Sequence, residues 1–307
     1  MKAVGFYQNL PIDHADALQD IEVATPEVRD HDILVEVKAV SVNPVDTKIR
    51  AHGDVPSDAA RILGWDAAGI VYATGSSVTL FKSGDRVWYA GDITRPGSNS
   101  EWHAVDERIA GLMPRSLYFA QAASLPLTTI TAWELLFDCL RIHEADPTEN
   151  TVLLVTGAAG GVGSVLTQLA RRLTGATIIG TGSRPETRDW VLTHGAHHVI
   201  NHREPWAPQL SGLGIKEVDF VTGLNESAGY IPQIAAVIRP EGKFALIDDP
   251  AVLDIGPFKA KSISIHWELM YTPDFHHAHT FPTTRPVAPH GRTGRSRRCR
   301  AHAHPSH

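Results

Sequence analysis

The chain has 307 residues, of which 43% are hydrophobic and 20% charged, with a formal net charge of −6. That length is generous for one hydrophobic core and comfortable for two domains, and no apolar run approaches the ~20 residues that span a bilayer. From Pro273 on, six arginines face one acid, Asp274, so the rest of the chain is strongly acidic, which argues against nucleic acid as a partner.

The segment after Lys2 has no sustained apolar core of the kind a signal peptide needs, and Cys139 and Cys299 read as two free thiols in a reducing compartment. A cytoplasmic location with no membrane association is expected.

In chain order, "DILVEVKAV", "AAGIVYATG" and "GDRVWYA" are short β-rich runs bounded by Gly and Asp, while "SVNPVDTK" breaks the pattern at Pro44. The early chain is therefore mostly β. From "QAASLPLTTITAWELLFDCLRI" the texture becomes helical, with Ala132, Leu135, Leu136 and Leu140 at helical spacing. After "EADPTEN" strand and helix alternate. "TVLLV" is a strand buried on both faces; Val162, Val165, Leu166, Leu169 and Leu173 stripe a helix; "ATIIGT" is the next strand. "RPETRDWVLTHG" is a helix closed by Gly195, "HHVI" a strand, and "VDFVTG", "SAGYIPQIAAVIRPEG" and "KFALID" repeat the unit, with "KSISIHW" as an edge strand. Repeated βα alternation predicts a parallel, doubly wound sheet. Beyond Tyr271 aliphatic residues almost vanish and His, Arg and Pro accumulate, so 272–307 is expected to be a disordered tail.

"VTGAAGGVG" joins the first strand of this array to its first helix, which is the context in which a glycine loop means a dinucleotide. Gly157 allows the tight exit, Gly160 and Gly161 admit a pyrophosphate to the backbone, and Gly163 permits close helix packing. The helix N-terminus adds unpaired N–H groups and partial positive charge. At the end of the second strand an NAD site places an acid on the ribose. Here "GTGSRPET" offers Ser183 and Arg184 and no acid near the strand end, which suits a 2′-phosphate and so NADPH. For Arg184 the alternative is an ordinary solvated helix-entry residue.

"GAAGGVG", "SVNPVDTKIR", "LGWDAAGIV", "PLTTITAWE" and "VINHRE" together resemble the quinone oxidoreductase branch of the medium-chain dehydrogenase/reductase superfamily, whose members are often labelled zinc-type alcohol dehydrogenase-like. The resemblance implies an α/β chain: a GroES-like, mostly β catalytic domain over 1–122 plus a Rossmann domain with a doubly wound parallel sheet over 123–271, substrate and nicotinamide meeting in the cleft between them. It implies NADPH-dependent reduction of a quinone or enone. It places Asn43, Asp46 and Thr131 near the nicotinamide, and His202 where relatives carry a tyrosine beside the adenosine phosphate. Val162 and Thr222 complete the expected cofactor set. Relatives also dimerise through the edge strand, here "KSISIHW", which makes a homodimer the implied assembly.

Catalytic zinc in the alcohol-dehydrogenase branch needs a thiolate, an imidazole and usually a carboxylate. The cysteine position resembles Asn43, and the usual Gly-His-Glu reads Gly64, Trp65, Asp66; the first cysteine of the chain is Cys139. No family zinc site is expected, and a set made from His52, Asp66 and His103 is the weaker reading. Without a metal, the Asn43 amide is the first candidate to stabilise charge on the substrate oxygen, Asp46 holds its loop, and Trp65 shapes an apolar pocket. The structural alternatives are turn and cap roles for Asn43 and Asp46 and core packing for Trp65. Two other functions stay open: zinc-dependent alcohol oxidation, and NADPH sensing without turnover. Relatives continue after "SISIHWELMYT" with a helix and further strands, so a shift of reading frame near 272–275 is expected.

Overall fold

The computed structural model describes residues 1–145 and 150–272, so the tail expected over 272–307 lies outside the described residues apart from Thr272. The chain divides into two compact units, Met1–Leu127 with Tyr271, and Thr128–Met270.

The first unit contains β1 (Lys2–Phe6), β2 (Gln19–Glu22), β3 (Asp32–Val40), α1 (Pro44–His52), β4 (Arg61–Ile62), β5 (Asp66–Thr74), β6 (Arg86–Ala90), β7 (Trp102–Asp106) and β8 (Ala110–Leu112). All pairings are antiparallel, in one sheet of order β2-β1-β4 and a second of order β7-β3-β5-β6-β8. Alternation in the sequence becomes a buried face: Ile33 and Val35 of β3 pack with Val71, Val87, Tyr89 and Val105. Pro44, which interrupts the strand pattern, is the first residue of α1, where its missing N–H has no helical partner to lose.

The helical texture over 121–142 resolves into three pieces. α2 (Phe119–Ala123) ends before Pro126, which begins α3 (Pro126–Trp133), because a proline cannot continue a preceding turn. The chain then loosens into π-type bonding over Glu134–Cys139, with the Leu140 N–H donating to the Leu135 carbonyl at 3.0 Å.

In the second unit β9 (Val152–Val155), α4 (Gly161–Leu173), β10 (Thr177–Thr181), α5 (Pro185–Thr193), β11 (His198–Ile200), α6 (Trp206–Gly212), β12 (Val218–Gly223), α7 (Ser227–Val237), β13 (Ile238–Leu246) and β14 (Ser264–Trp267) alternate as the sequence predicts. The sheet is parallel in the order β11-β10-β9-β12-β13-β14. The apolar run of β9 feeds both layers: Leu153 and Val155 join one core with Leu166, Ile178 and Val191, while Val152 and Leu154 join the other with Trp206, Ile231 and Ile234. Full burial of each such side chain contributes roughly 1.5–3 kcal/mol. The helix expected to run to Gly242 ends at Val237 instead, since Pro240 and Glu241, the latter at φ 61°, do not fit a helix. The chain moves outward from β9 in both directions, so the loops leaving β9 and β12 meet at the point where the strand order reverses.

Candidate functional site

The glycine loop stands at that reversal. Gly157 has φ +61°, and a Cβ there would also lie 2.6 Å from Asn225 Oδ1, so glycine answers both the turn and the close approach. Its N–H donates to Thr181 Oγ1 at 3.2 Å, and Thr156 ties the loop to β12 by donating from N and Oγ1 to the Thr222 carbonyl at 3.0 and 3.2 Å. Gly160 is the N-cap of α4 and Gly161 its first residue. The N–H groups of this first turn have no carbonyl one turn earlier to bind, which makes the helix start a ready site for anionic oxygens.

A pocket of about 240 Å³ opens beside this loop. It brings together Gly157, Gly160, Ser183, Arg184 and His202 of the predicted set, and no carboxylate is among its lining residues. Ala159, Thr181, Gly182, Thr187, Arg203, Asn225 and Tyr230 complete its walls and were not anticipated. Arg203 follows His202 directly in "VINHRE", a signal that the sequence did carry. His202 and Tyr230 meet edge to face with centroids 6.4 Å apart, and Trp206 backs Tyr230 at 5.3 Å. Burial and Glu226 push the Tyr230 hydroxyl above its ordinary value while Arg203 opposes them. Arg188 braces the floor, donating to the carbonyls of Gly182 and Val199 at 3.3 and 3.1 Å.

The other predicted cofactor residues lie elsewhere. Gly161 is exposed at the head of α4, Val162 packs against a core, and Gly163 is buried against the backbone of the loop. Thr222 is fully buried, and its carbonyl rather than its hydroxyl is the loop's anchor. Thr131, on α3, donates its hydroxyl to Glu268, a buried residue whose carboxyl is pushed well above its ordinary value by burial and by the neighbouring Glu134.

In the first unit Asn43 and Asp46 form one cluster with Asp66. The Asn43 N–H donates to Asp46 Oδ2 at 2.7 Å, and Asp46 Oδ1 accepts the Gly64 N–H at 3.0 Å, so Asp46 caps α1 and clamps the β5 entry. Asn43 Nδ2 donates to Asp66 Oδ2 at 3.0 Å, and Asp66 Oδ1 accepts the Leu127 N–H at 3.2 Å. Asp66 is fully buried, and burial drives its carboxyl up to about 8 against the two hydrogen bonds. Burial raises Asp46 as well, opposed by backbone bonds from Asn43 and Gly64. Trp65 is 1% exposed, its indole N–H bound to the Asp92 carbonyl at 3.1 Å and Arg61 stacked over its ring at 5.7 Å, which is a core position.

Two family models match the chain, alcohol dehydrogenase GroES-like domain over residues 29–123 and zinc-binding dehydrogenase over 161–283. A zinc-type alcohol dehydrogenase-like protein of Staphylococcus epidermidis is 36% identical over 281 residues, covering 90% of this chain and 82% of its own. Human quinone oxidoreductase is 36% identical over 239 residues, covering 77% and 70%. The chain belongs to the medium-chain dehydrogenase/reductase superfamily. Solved members agree in fold. A Rhizobium etli protein named for zinc-dependent alcohol dehydrogenase superposes with TM-score 0.87 at 50% identity, covering 90% of this chain and 81% of that one. Escherichia coli quinone oxidoreductase complexed with NADPH gives 0.73 at 28% identity, covering 88% and 81%.

This medium-chain dehydrogenase/reductase is thus an oxidoreductase with a nucleotide-binding dehydrogenase domain, and no helix among the described residues is long and apolar enough to cross a membrane. Among the described residues, the positions that resemble the zinc ligands named in the relatives carry other groups. Asn43, at the position that resembles the catalytic cysteine, carries an amide in place of a thiolate, and the carboxyl of Asp66 accepts from Asn43 and Leu127. His103 has both ring nitrogens engaged, at 3.0 Å from the Tyr89 hydroxyl and 3.0 Å from the Pro96 carbonyl, while His52 is exposed. Among the described residues no three His, Cys, Asp or Glu side chains gather as metal ligands.

Proposed function

We propose that this protein is an NADPH-dependent reductase that delivers hydride to a quinone or an α,β-unsaturated carbonyl without catalytic zinc. One observation carries the cofactor choice: the pocket at the end of β10 offers Ser183, Arg184 and Arg203 and no carboxylate to hold a ribose 2′-hydroxyl. Two guanidinium groups and a hydroxyl are the donors a 2′-phosphate recruits.

The backbone of Gly160 and the first turn of α4 would receive the pyrophosphate, and His202 and Tyr230 would wall the adenosine side. When bound, NADPH would supply a hydride from the nicotinamide to an electrophilic carbon, leaving NADP+ and negative charge on the substrate's oxygen, and a proton from solvent would complete the reduction. Asn43 offers an amide N–H to that oxygen, held in place by Asp46 and Asp66. Hydrogen-bonded amides, unlike a metal, add no charge of their own, so substrates already activated by conjugation are favoured over simple alcohols. A cytoplasmic homodimer paired through the edge strand β14 belongs to the same reading.

The test is consumption of NADPH and of NADH against a panel of quinones and enones, with and without a chelator. Chelator-resistant turnover with NADPH preferred supports the reading. Turnover that needs added zinc, or a clear preference for NADH, sinks it, and tight NADPH binding with no turnover on any member of the panel identifies a sensor.

A further inference from the structure

Two short segments carry the basic groups of the pocket: Ser183 and Arg184 follow β10, and His202 and Arg203 follow β11. Among the described residues the side chains of Arg184 and Arg203 and the ring nitrogens of His202 hold no hydrogen bond or ion pair, so the backbone beneath them sets where these donors start. The spacing of the two segments therefore decides whether their donors can meet on one small anion. At their root β10 and β11 run parallel with Thr181 opposite Ile200, and the Gly182 N–H donates to the Ile200 carbonyl at 2.9 Å. Arg188, on α5, closes that end of the ladder. Its Nη1 donates to the Gly182 carbonyl at 3.3 Å and its Nη2 to the Val199 carbonyl at 3.1 Å, so one planar fork grips the root of each segment. Its backbone N–H also donates to the Arg184 carbonyl at 3.0 Å, where Thr187 Oγ1 donates as well at 2.8 Å.

We propose that Arg188 is a positioning residue for the choice of cofactor: it fixes the distance between the Ser183–Arg184 and His202–Arg203 segments so that both reach a ribose 2′-phosphate. This rests on the reading of the pocket as the NADPH 2′-phosphate site and adds what holds its two halves in register. Arg188 acts through others, since the pocket wall is made by its neighbours Gly182 and Thr187 and not by its own side chain. Among the described residues no carboxylate pairs with Arg188, so its charge is met by carbonyl oxygens and adds to the positive field beneath the pocket. A guanidinium locked to an acid would offer no such field. A 2′-hydroxyl carries no charge and does not call on both basic segments at once, so NADH is indifferent to their spacing.

The experiment measures NADPH and NADH dissociation constants by titration calorimetry for the wild type, Arg188→Lys and Arg188→Met, with a thermal melt of each. Lysine keeps the charge but brings one nitrogen where two carbonyls on two segments need a fork, and methionine keeps only the stem. NADPH should bind Arg188→Lys about tenfold more weakly and Arg188→Met about 30-fold, while NADH stays within about threefold in both. Equal losses on the two cofactors, or variants that no longer melt cooperatively, make Arg188 a general structural prop and overturn the inference. A loss in Arg188→Met that Arg188→Lys escapes leaves charge without spacing and overturns it too. The underlying reading is tested apart from this by the wild type. A wild type that prefers NADH, or makes no distinction, overturns the 2′-phosphate site and the inference with it; a wild-type preference for NADPH that Arg188→Lys retains overturns the inference alone.

Discussion

Gly163→Ala adds a single methyl group at the point where α4 crosses the glycine loop. That Cβ would sit 2.6 Å from the Ala158 Cα and 2.8 Å from the Ala158 carbonyl carbon, and nearer still to the Gly157 oxygen. All three atoms are backbone, so no rotamer change relieves the contact, which falls about 1 Å short of an ordinary carbon separation. The helix must back away. Doing so stretches the bonds from the Gly160 N–H to the Gly157 carbonyl, now 3.0 Å, and from the Ser164 N–H to the Gly160 carbonyl, now 2.9 Å. Overpacking of about 1–3 kcal/mol and partial loss of two bonds near 1 kcal/mol each give a cost of about 2–4 kcal/mol. If about 2 kcal/mol of this falls on the geometry that receives the pyrophosphate, NADPH affinity drops about 30-fold. Titration calorimetry and a thermal melt measure both parts. Gly212→Ala, in α6 with nothing within 4 Å of the added Cβ, is the control and should be neutral or stabilising by up to about 1 kcal/mol. A Gly163→Ala protein that melts with the wild type and binds NADPH within about threefold of it would refute the claim that this glycine exists for close packing.

Arg184→Ala and Arg203→Ala should each weaken NADPH binding by about 1.5–3 kcal/mol and leave NADH nearly unchanged, read as the ratio of the two dissociation constants; equal losses on both cofactors would remove the 2′-phosphate from the account. Dialysis against EDTA should leave turnover within about twofold, with activity rather than metal content as the readout, since histidines such as His276, His277 and His279 collect metal on any chain. Burial holds the His103 imidazole down at about 4, so the native state binds fewer protons than the unfolded chain below the usual imidazole range. That contribution to stability is complete above about pH 6.5 and is lost as pH falls toward 4, so the wild type minus His103→Gln difference in urea stability should shrink by about 1.4 kcal/mol per pH unit across that window. A difference independent of pH would mean that His103 titrates normally. Cys139, raised to about 11 by burial and by Glu268 and Glu134, should resist alkylation at neutral pH, as the rate of labelling of the native protein, compared with the unfolded chain and read by mass on the Cys139 peptide after digestion, would show.

The Rossmann unit was legible because its signals are local and redundant. "TVLLV" must be buried on both faces to make sense as a strand, and Leu153 and Leu154 do point into opposite cores. Gly157 carries its positive φ within the very loop that announces it. Signals failed where one residue had to be weighed against its neighbours: Pro126 divides the helical stretch over 121–142 ahead of the apolar spacing that starts at Ala132, and Pro240 with Glu241 turned an expected helix end into the start of β13. Trp65 shows a different limit. The sequence left pocket wall and core packing open for it, and could not say that Asp92, 27 positions on, takes its indole N–H. Asn43 and Asp66 carry that point furthest, being 23 positions apart in the chain and 3.0 Å apart in the fold. Read singly, one is a turn residue and the other a shortened relative of a metal-ligating glutamate. Only their contact turns two departures from a zinc pattern into one hydrogen-bonded unit, the Asn43 amide donating to the Asp66 carboxyl.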